Sequence, residues 1–406
     1  MAIVLVQIGL IKAILASIDV KKLHLKPIRF QIKSIIMLSK FTVKGFKQFE
    51  HLTMDLTQVR DYDFNTHCLT RGKKNRLLKS MLVYGPNASG KSNLGFAVFD
   101  IVQHLFDKIS LPEAYNAYLN ADLGLDAAEF CYEFLFSGTK ISYRYKKTDF
   151  KRLVAEEFSC DGKLLFSWDS KSNKADFTHL GDFGFATLNQ AYWDKDTSFL
   201  RYVANNSALK ASSPVKKVMD FVGSMLWFRR ADSGNSFIGL LSKVDDIGQY
   251  IINQGLLKDF EKFLNENDVD EKLISKETAD GREAIFFNHK RLLPFFSSAS
   301  SGTMALAILF YWKDYFDKAS FIFIDDFDAF YHTKIAKKVF DSLSHLKKQV
   351  LLTTSNTNLL DHRLTRPDCC FELRAGELKS LADRTTRILR RGNNLEKLYL
   401  AGEFFL

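Results

Sequence analysis

The chain has 406 residues, 46% apolar and 26% charged, the composition of an ordinary soluble globular protein with enough apolar material for a full core. Only six prolines, no low-complexity segment and no fixed repeat period argue against long disordered linkers and against a repeat architecture. The formal net charge of +10 permits nucleic-acid binding without demanding it. Half of it lies in residues 1–36, where Lys12, Lys21, Lys22, Lys26, Arg29 and Lys33 stand against Asp19 alone.

The first eighteen residues are apolar, but Lys12 interrupts them, no basic stretch precedes them and no small-residue cleavage site follows. The run is short of the ~20 apolar residues that span a bilayer, so no stable membrane anchor is expected. Met37 stands directly before a strand-like run, and the expected reading is an upstream leader, 1–36, with translation starting at Met37. The alternative is a membrane-associating leader.

From there the pattern can be followed in chain order. Phe41–Phe46 and Leu52–Leu56 alternate as a β-hairpin. Lys73, Lys74, Arg76 and Lys79 form a basic run that reads as a solvated loop. Ser80–Tyr84 is a short apolar strand, and Asn93–Phe106 has helical periodicity. Phe130–Phe136, Ile141–Tyr145, Arg152–Cys160 and Lys163–Trp168 read as antiparallel strands, with turns at Ser137-Gly138 and Asp161-Gly162. Residues 195–265 look more helical, with Val215–Trp227 and Ile247–Phe263 as the best helices. Ala284–Phe287 and Lys290–Leu293 form a hairpin. Thr303–Tyr315 and Thr333–Leu346 are helices, Ser320–Ile324 and Gln349–Thr353 buried strands, and Asp368–Leu373 with Glu377–Leu381 a closing hairpin. The order predicts an α/β nucleotide-binding sheet interrupted by a large insertion.

Between the Ser80 strand and its helix lies Gly85-Pro86-Asn87-Ala88-Ser89-Gly90-Lys91-Ser92, which fits GxxxxGK[ST] without a mismatch. Glycines let backbone N–H groups curl around phosphate, and the helix that follows aims its N-terminus at the anion. Lys91 is placed to reach the β- and γ-phosphates, and the Ser92 hydroxyl to ligate Mg²⁺. The apolar run Phe321–Ile324 ends in Asp325 and Asp326. Asp325 at the strand's edge suits a Mg²⁺ ligand, and Asp326 suits the orientation of an attacking water. Ser297–Thr303 (SSASSGT) starts a helix and offers a second anion cradle, although in isolation it reads equally as a plain helix cap. Five cysteines, none in a CxxC pair, and scattered histidines offer no zinc site or disulfide framework; a reduced, cytoplasmic setting fits best.

Together these motifs resemble the ABC-type ATPase heads, and among them the SMC- and RecF-related AAA ATP-binding proteins, including the ATPase parts of overcoming-lysogenization-defect-type proteins. The resemblance is carried by FTVKGFKQF (Phe41–Phe49), GPNASGKSNL, ASSGT (Ala299–Thr303), IDDFDAFYH (Ile324–His332), LLTTSNTNLL (Leu351–Leu360) and NLEKLYLAGEF (Asn394–Phe404). It implies a P-loop NTPase of ABC-ATPase type with a β-hairpin-rich subdomain and a helical lid. The expected division is 37–194 for the first half of the head, 195–296 for the lid, and 297–406 for the half with signature, acidic strand and switch strand. It further implies head-to-head dimers, or higher homo-oligomers, with ATP between Lys91 of one copy and Ser300, Ser301 and Gly302 of the other. Asp328 would lie in the loop that communicates across the dimer, and since a glutamine that contacts Mg²⁺ is usual in such heads, Gln190 is the one candidate for it, with a surface amide as the blander reading. Members commonly act in DNA repair or, beside a separate effector protein, in bacterial defence against phage.

This sequence departs from the family habit in having Asp326 where Glu is usual, Ser355 where a switch histidine is usual, and Ala299 where an acid is frequent. A serine hydroxyl cannot present a charged imidazolium to a γ-phosphate. The expectation is an ATP- and Mg²⁺-dependent, slow ATPase acting as sensor and scaffold in anti-phage defence; the alternative is a repair or recombination ATPase acting directly on DNA. The chain ends about 50 residues after the switch strand, which is read as leaving no room for a nuclease domain.

Overall fold

The structure is a computed structural model that describes residues 36–70, 75–108, 111–231 and 234–405. Residues 1–35 of the expected leader and the basic run at Lys73 and Lys74 lie outside the described residues. In chain order the strands and helices are β1 (Met37–Phe46), β2 (Phe49–Asp55), β3 (Ser80–Tyr84), α1 (Lys91–Phe106), β4 (Ala128–Phe136), β5 (Thr139–Lys147), β6 (Leu153–Cys160), β7 (Lys163–Asp169) and β8 (Lys174–Asp176). There follow α2 (Phe199–Asn206), α3 (Pro214–Gly223), β9 (Leu226–Ala231), β10 (Gly234–Gly239), α4 (Ile247–Asn253), α5 (Leu257–Glu266), β11 (Leu273–Glu277), β12 (Glu283–Phe287), β13 (Leu293–Pro294) and α6 (Phe295–Ser298). The last elements are α7 (Ser301–Lys313), β14 (Phe321–Ile324), α8 (Thr333–Ser344), β15 (Gln349–Thr354), β16 (Cys370–Arg374), β17 (Glu377–Ser380) and α9 (Leu395–Leu400).

Two large sheets organise these elements. One is antiparallel, in the order β2-β1-β4-β5-β6-β7-β8. The other runs β10-β9-β14-β15-β3-β16-β17, parallel from β9 to β16 and closed by an antiparallel strand at each edge. Side chains alternate across the parallel sheet, as the pleat requires. Met81, Val83, Phe321, Phe323 and Leu351 face a core that also holds α1 and the inner face of the antiparallel sheet. Leu82, Tyr84, Ile322, Ile324, Val350 and Leu352 face a second core with α7, α8 and α9. Strands buried on both faces read as continuous apolar runs, which is why Phe321–Ile324 and Gln349–Thr353 were visible in the sequence. Helix α1 is buried around its whole circumference from Leu94 to Leu105, the pattern of a helix covered on every side.

The region expected as a helical lid differs from that expectation. The helix over Val215–Trp227 stops at Gly223, and the chain then enters β9, which pairs in parallel with β14. Gly223 and Ser224 interrupt the helix, and the bulky run Leu226-Trp227-Phe228 suits a sheet covered on both faces. Residues 226–239 are thus part of the nucleotide-side sheet, while α2 and α3 pack on α1. The helix over Ile247–Phe263 is likewise two helices, broken where Gly255 takes a left-handed φ of +67°. These helices, β11–β13 and one face of α7 form a third core around Ile251, Phe260, Phe287, Phe295 and Phe310. Among the described residues no helix is long and apolar enough to cross a membrane.

Candidate functional site

β3, β14, β15 and β9 run in parallel, so their C-terminal ends share one edge of the sheet. The phosphate loop, Arg229, Asp325, Asp326 and Ser355 leave from that edge. The chain turns out of β3 at Gly85, whose N–H is fixed to Thr354 O on the adjacent strand at 3.1 Å. A Cβ on Gly85 would collide with Ser89 Oγ and lie 2.9 Å from Leu373 O, so this backbone admits glycine alone. Ala88 and Gly90 take left-handed conformations, φ +63° and +99°, the kind of turn in which successive N–H groups form an anion-binding concavity. Gly90 is packed against the Gln48 amide in the β1–β2 turn, and Asn93 Nδ2 donates to Gln48 Oε1.

Lys91 begins α1 and is buried. Its ammonium donates to Gly85 O at 3.1 Å, Pro86 O at 3.2 Å and Ser355 Oγ at 2.7 Å, and lies 3.7 Å from Asp326 Oδ1. Ser355 Oγ donates in turn to Asn87 Oδ1 at 3.3 Å. Thus Asn87, Lys91, Ser355 and Asp326 converge on the loop from three segments of chain. Beside them Ser92 Oγ donates to Asp325 Oδ2 at 2.6 Å, and Thr353 Oγ1 donates to Asp325 Oδ1 at 2.8 Å. Burial pushes the Asp325 carboxyl above its ordinary range and the Asp326 charge adds to this; the two hydroxyls and Arg229 oppose it.

Asp326 turns sharply out of β14 with φ +45°, a conformation that Asp tolerates better than longer side chains do. Its N–H donates to Thr353 Oγ1 at 2.8 Å, and its side chain is 45% exposed, open to a ligand above the edge. Asp328 is buried one turn further on; burial raises its carboxyl, while the Thr354 hydroxyl and the Asn356 amide hold it down.

The serine loop lies elsewhere. Ser300 caps α7, its Oγ accepting from Thr303 N at 3.1 Å and pairing with Thr303 Oγ1 at 2.9 Å. Ser300 and Ser301 are exposed, and a Cβ on Gly302 would meet Phe330 O at 2.9 Å. Among the described residues no hydrogen bond or ion pair joins Ser300, Ser301 or Gly302 to Gly85–Ser92 of the same chain. Gln190 is exposed in a short 3-10 turn before α2.

Three neighbours of the loop carried no signal when read alone: Gln48, Thr353 and Arg229. Arg229 Nη1 stands 3.6 Å from Asp325 Oδ2. The sheet order that brings β9 beside β14 is the missing information, since some 95 residues separate the two strands in the sequence.

The donor set suits a magnesium nucleotide. Ser92 and Asp325 offer one hydroxyl and one carboxylate, the hard oxygen ligands Mg²⁺ prefers, already in hydrogen-bond contact with each other. Among the described residues no cluster of three or more His, Cys, Asp or Glu could hold a metal ion.

No curated protein matches the chain. Among solved structures it is similar to the SMC head domain from Thermotoga maritima, with 15% identity over 84% of this chain and 97% of that one and a TM-score of 0.39. It is similar to the Smc head domain with an extended coiled coil, bound to the C-terminal domain of ScpA derived from Pyrococcus furiosus, with 14% identity over 86% and 98% and a TM-score of 0.41. A third similarity is to the recombination mediator RecF with ATP, with 14% identity over 87% and 99% and a TM-score of 0.39. The family model described as "AAA domain, putative AbiEii toxin, Type IV TA system" matches residues 80–361, from the first residue of β3 to beyond the switch strand. That stretch is more than half of the chain and holds every residue of the edge just described apart from Gln48 and Leu373, and the chain therefore belongs to this AAA-domain family.

Proposed function

We propose that the chain binds ATP with Mg²⁺ at Gly85–Ser92 and Asp325, dimerises head-to-head around the nucleotide, hydrolyses it slowly, and serves as the sensor and scaffold for a separate effector in bacterial defence against phage. The observation that carries the reading is the convergence of Lys91, Ser355 and Asp326 beside the Ser92–Asp325 pair. A buried lysine held by two loop carbonyls is oriented toward the cradle before any phosphate arrives. In this reading Gly85–Gly90 supply backbone N–H groups to the phosphates and Lys91 neutralises the β- and γ-groups. Ser92 and Asp325 hold Mg²⁺, which when bound withdraws charge from the phosphate oxygens.

Asp326 is the residue that orients the attacking water. Its carboxylate is one methylene shorter than glutamate, and Lys91 lies close enough to compete for it. Ser355 donates to Asn87 and accepts from Lys91, so it stabilises the loop and adds no positive charge. Both features favour a long-lived ATP state. The serines at 300 and 301 are exposed at the start of α7, with Gly302 beside them, which supports their use by a second copy. The word "toxin" in the family description is in keeping with a defence role.

The test is ATP binding and single-turnover hydrolysis measured together. The wild type is expected to bind ATP and turn over well below a typical ~10 s⁻¹, with Asp326→Glu faster and Lys91→Ala unable to bind. A wild type as fast as a typical ATPase, unchanged by Asp326→Glu, would replace the clamp with a motor.

A further inference from the structure

The edge holds a cation that the reading above does not use. β9 pairs with β14 so that Phe228 stands beside Ile324, and the next residue on each strand is Arg229 and Asp325. Phe228 O accepts the Asp325 N–H at 3.1 Å, which fixes the two side chains side by side. Strand alternation puts Arg229 on the face of Trp227, and Trp227 packs against Gly95, one turn into α1. Arg229 therefore projects along α1 toward its first turn, where Ser92 sits.

Its environment is incomplete. Nη1 is 3.6 Å from Asp325 Oδ2, too long for a good hydrogen bond, and that oxygen already accepts from Ser92. Nε is buried with no hydrogen-bond partner among the described residues. The Trp227 ring lies 5.7 Å away and supports the guanidinium by a cation–π contact. The neighbouring Arg230 is spoken for differently, 4.4 Å over the Phe330 ring. A guanidinium carries five donors in a planar fork suited to phosphate. Here it is held near the phosphate loop by charge and stacking, with donor capacity left over.

We infer that Arg229 reads the terminal phosphate of the bound nucleotide and so separates triphosphate from diphosphate. The inference rests on the ATP reading given above. Ser92 and Asp325 would hold the divalent ion, whose charge would neutralise the carboxylate that now attracts Arg229 and free the guanidinium for the terminal phosphate. Diphosphate offers no such group.

The experiment titrates the full chain with Mg²⁺ and either a non-hydrolysable ATP analogue or ADP, for wild type, Arg229→Gln, Arg229→Lys and Lys91→Ala. Arg229→Gln is expected to lose about 10- to 100-fold in affinity for the analogue, the range of one charge-assisted contact, and to change about twofold or less for ADP. Arg229→Lys should recover part of the loss as a point charge. Equal losses for both nucleotides, or none for either, would overturn the inference and leave Arg229 as the counter-ion of Asp325. Lys91→Ala separates the two claims: if it still binds both nucleotides, the ATP site itself is wrong. If Arg229→Gln fails to fold, Arg229→Lys alone decides, since a lysine that loses analogue and ADP affinity equally contradicts the proposal.

Discussion

Two buried aspartates show how differently this molecule uses the same residue. Asp100, on α1 against the antiparallel sheet, accepts from Lys147 Nζ with both oxygens at 3.0 and 3.1 Å, from Tyr118 Oη at 2.8 Å and from Tyr145 Oη at 2.9 Å. Asp325, at the edge of the parallel sheet, has two small hydroxyls and a distant guanidinium, with a second carboxylate next to it. Neither is more than 1% exposed. The first network is complete and locks α1 to the antiparallel sheet. The second gives each carboxylate oxygen one neutral hydroxyl in place of a full counter-charge, and burial with the Asp326 charge raises its carboxyl, as befits a cation ligand.

Substitutions should break this contrast in opposite directions. Lys147→Ala leaves Asp100 as an unpaired charge in the core and is expected to cost about 3–5 kcal/mol of stability, read by denaturant unfolding. Asp325→Asn removes a like-charge neighbour of Asp326. Its melting temperature is expected to stay level or rise, while Mg²⁺-dependent ATP affinity falls about 10- to 100-fold, the usual cost of weakening a metal site. If Asp325→Asn unfolds the chain instead, Asp325 is structural like Asp100 and the contrast is void. Thr353→Val should lie between them. It removes the hydroxyl that serves both Asp325 and the Asp326 N–H, and is expected to cost about 1–3 kcal/mol with a shift in hydrolysis as Asp326 loosens. The smallest effect belongs to Ser300→Ala, about 1 kcal/mol from the lost α7 cap. A calorimetric melt reads that loss, and a nucleotide-dependent loss of dimer beyond it would sharpen the cap into a site.

How much of this was legible depends on how local the information was. The phosphate loop and the acidic end of Phe321–Ile324 are contiguous strings whose spacing states their chemistry, and the strands covered on both faces announced themselves as apolar runs. β9 did not. Its Leu226 continues the helical spacing of Val215, Val218 and Val222, so a local reading extends the helix through Gly223. Arg229 could be recognised only once the sheet order placed β9 beside β14. Gln48 and Thr353 were hidden for the same reason, since a turn residue and a threonine inside a buried strand have no distinguishing pattern until α1 and Asp325 are set against them. The Asp100–Lys147 pair joins a helix to a strand 47 residues away and was equally invisible.

In the proposed reading, the serine loop of a second copy completes the nucleotide site. The most direct test of that reading is the mass in solution of Asp326→Asn, in which ATP should persist, with and without Mg²⁺-ATP. Beside it stands the double variant carrying Ser301→Arg, which crowds the exposed loop without touching Gly85–Ser92. A nucleotide-dependent rise from monomer to dimer is expected in the first protein, and ATP binding without that rise in the second. A first protein that binds ATP and stays monomeric, or a dimer that survives Ser301→Arg, would contradict that reading.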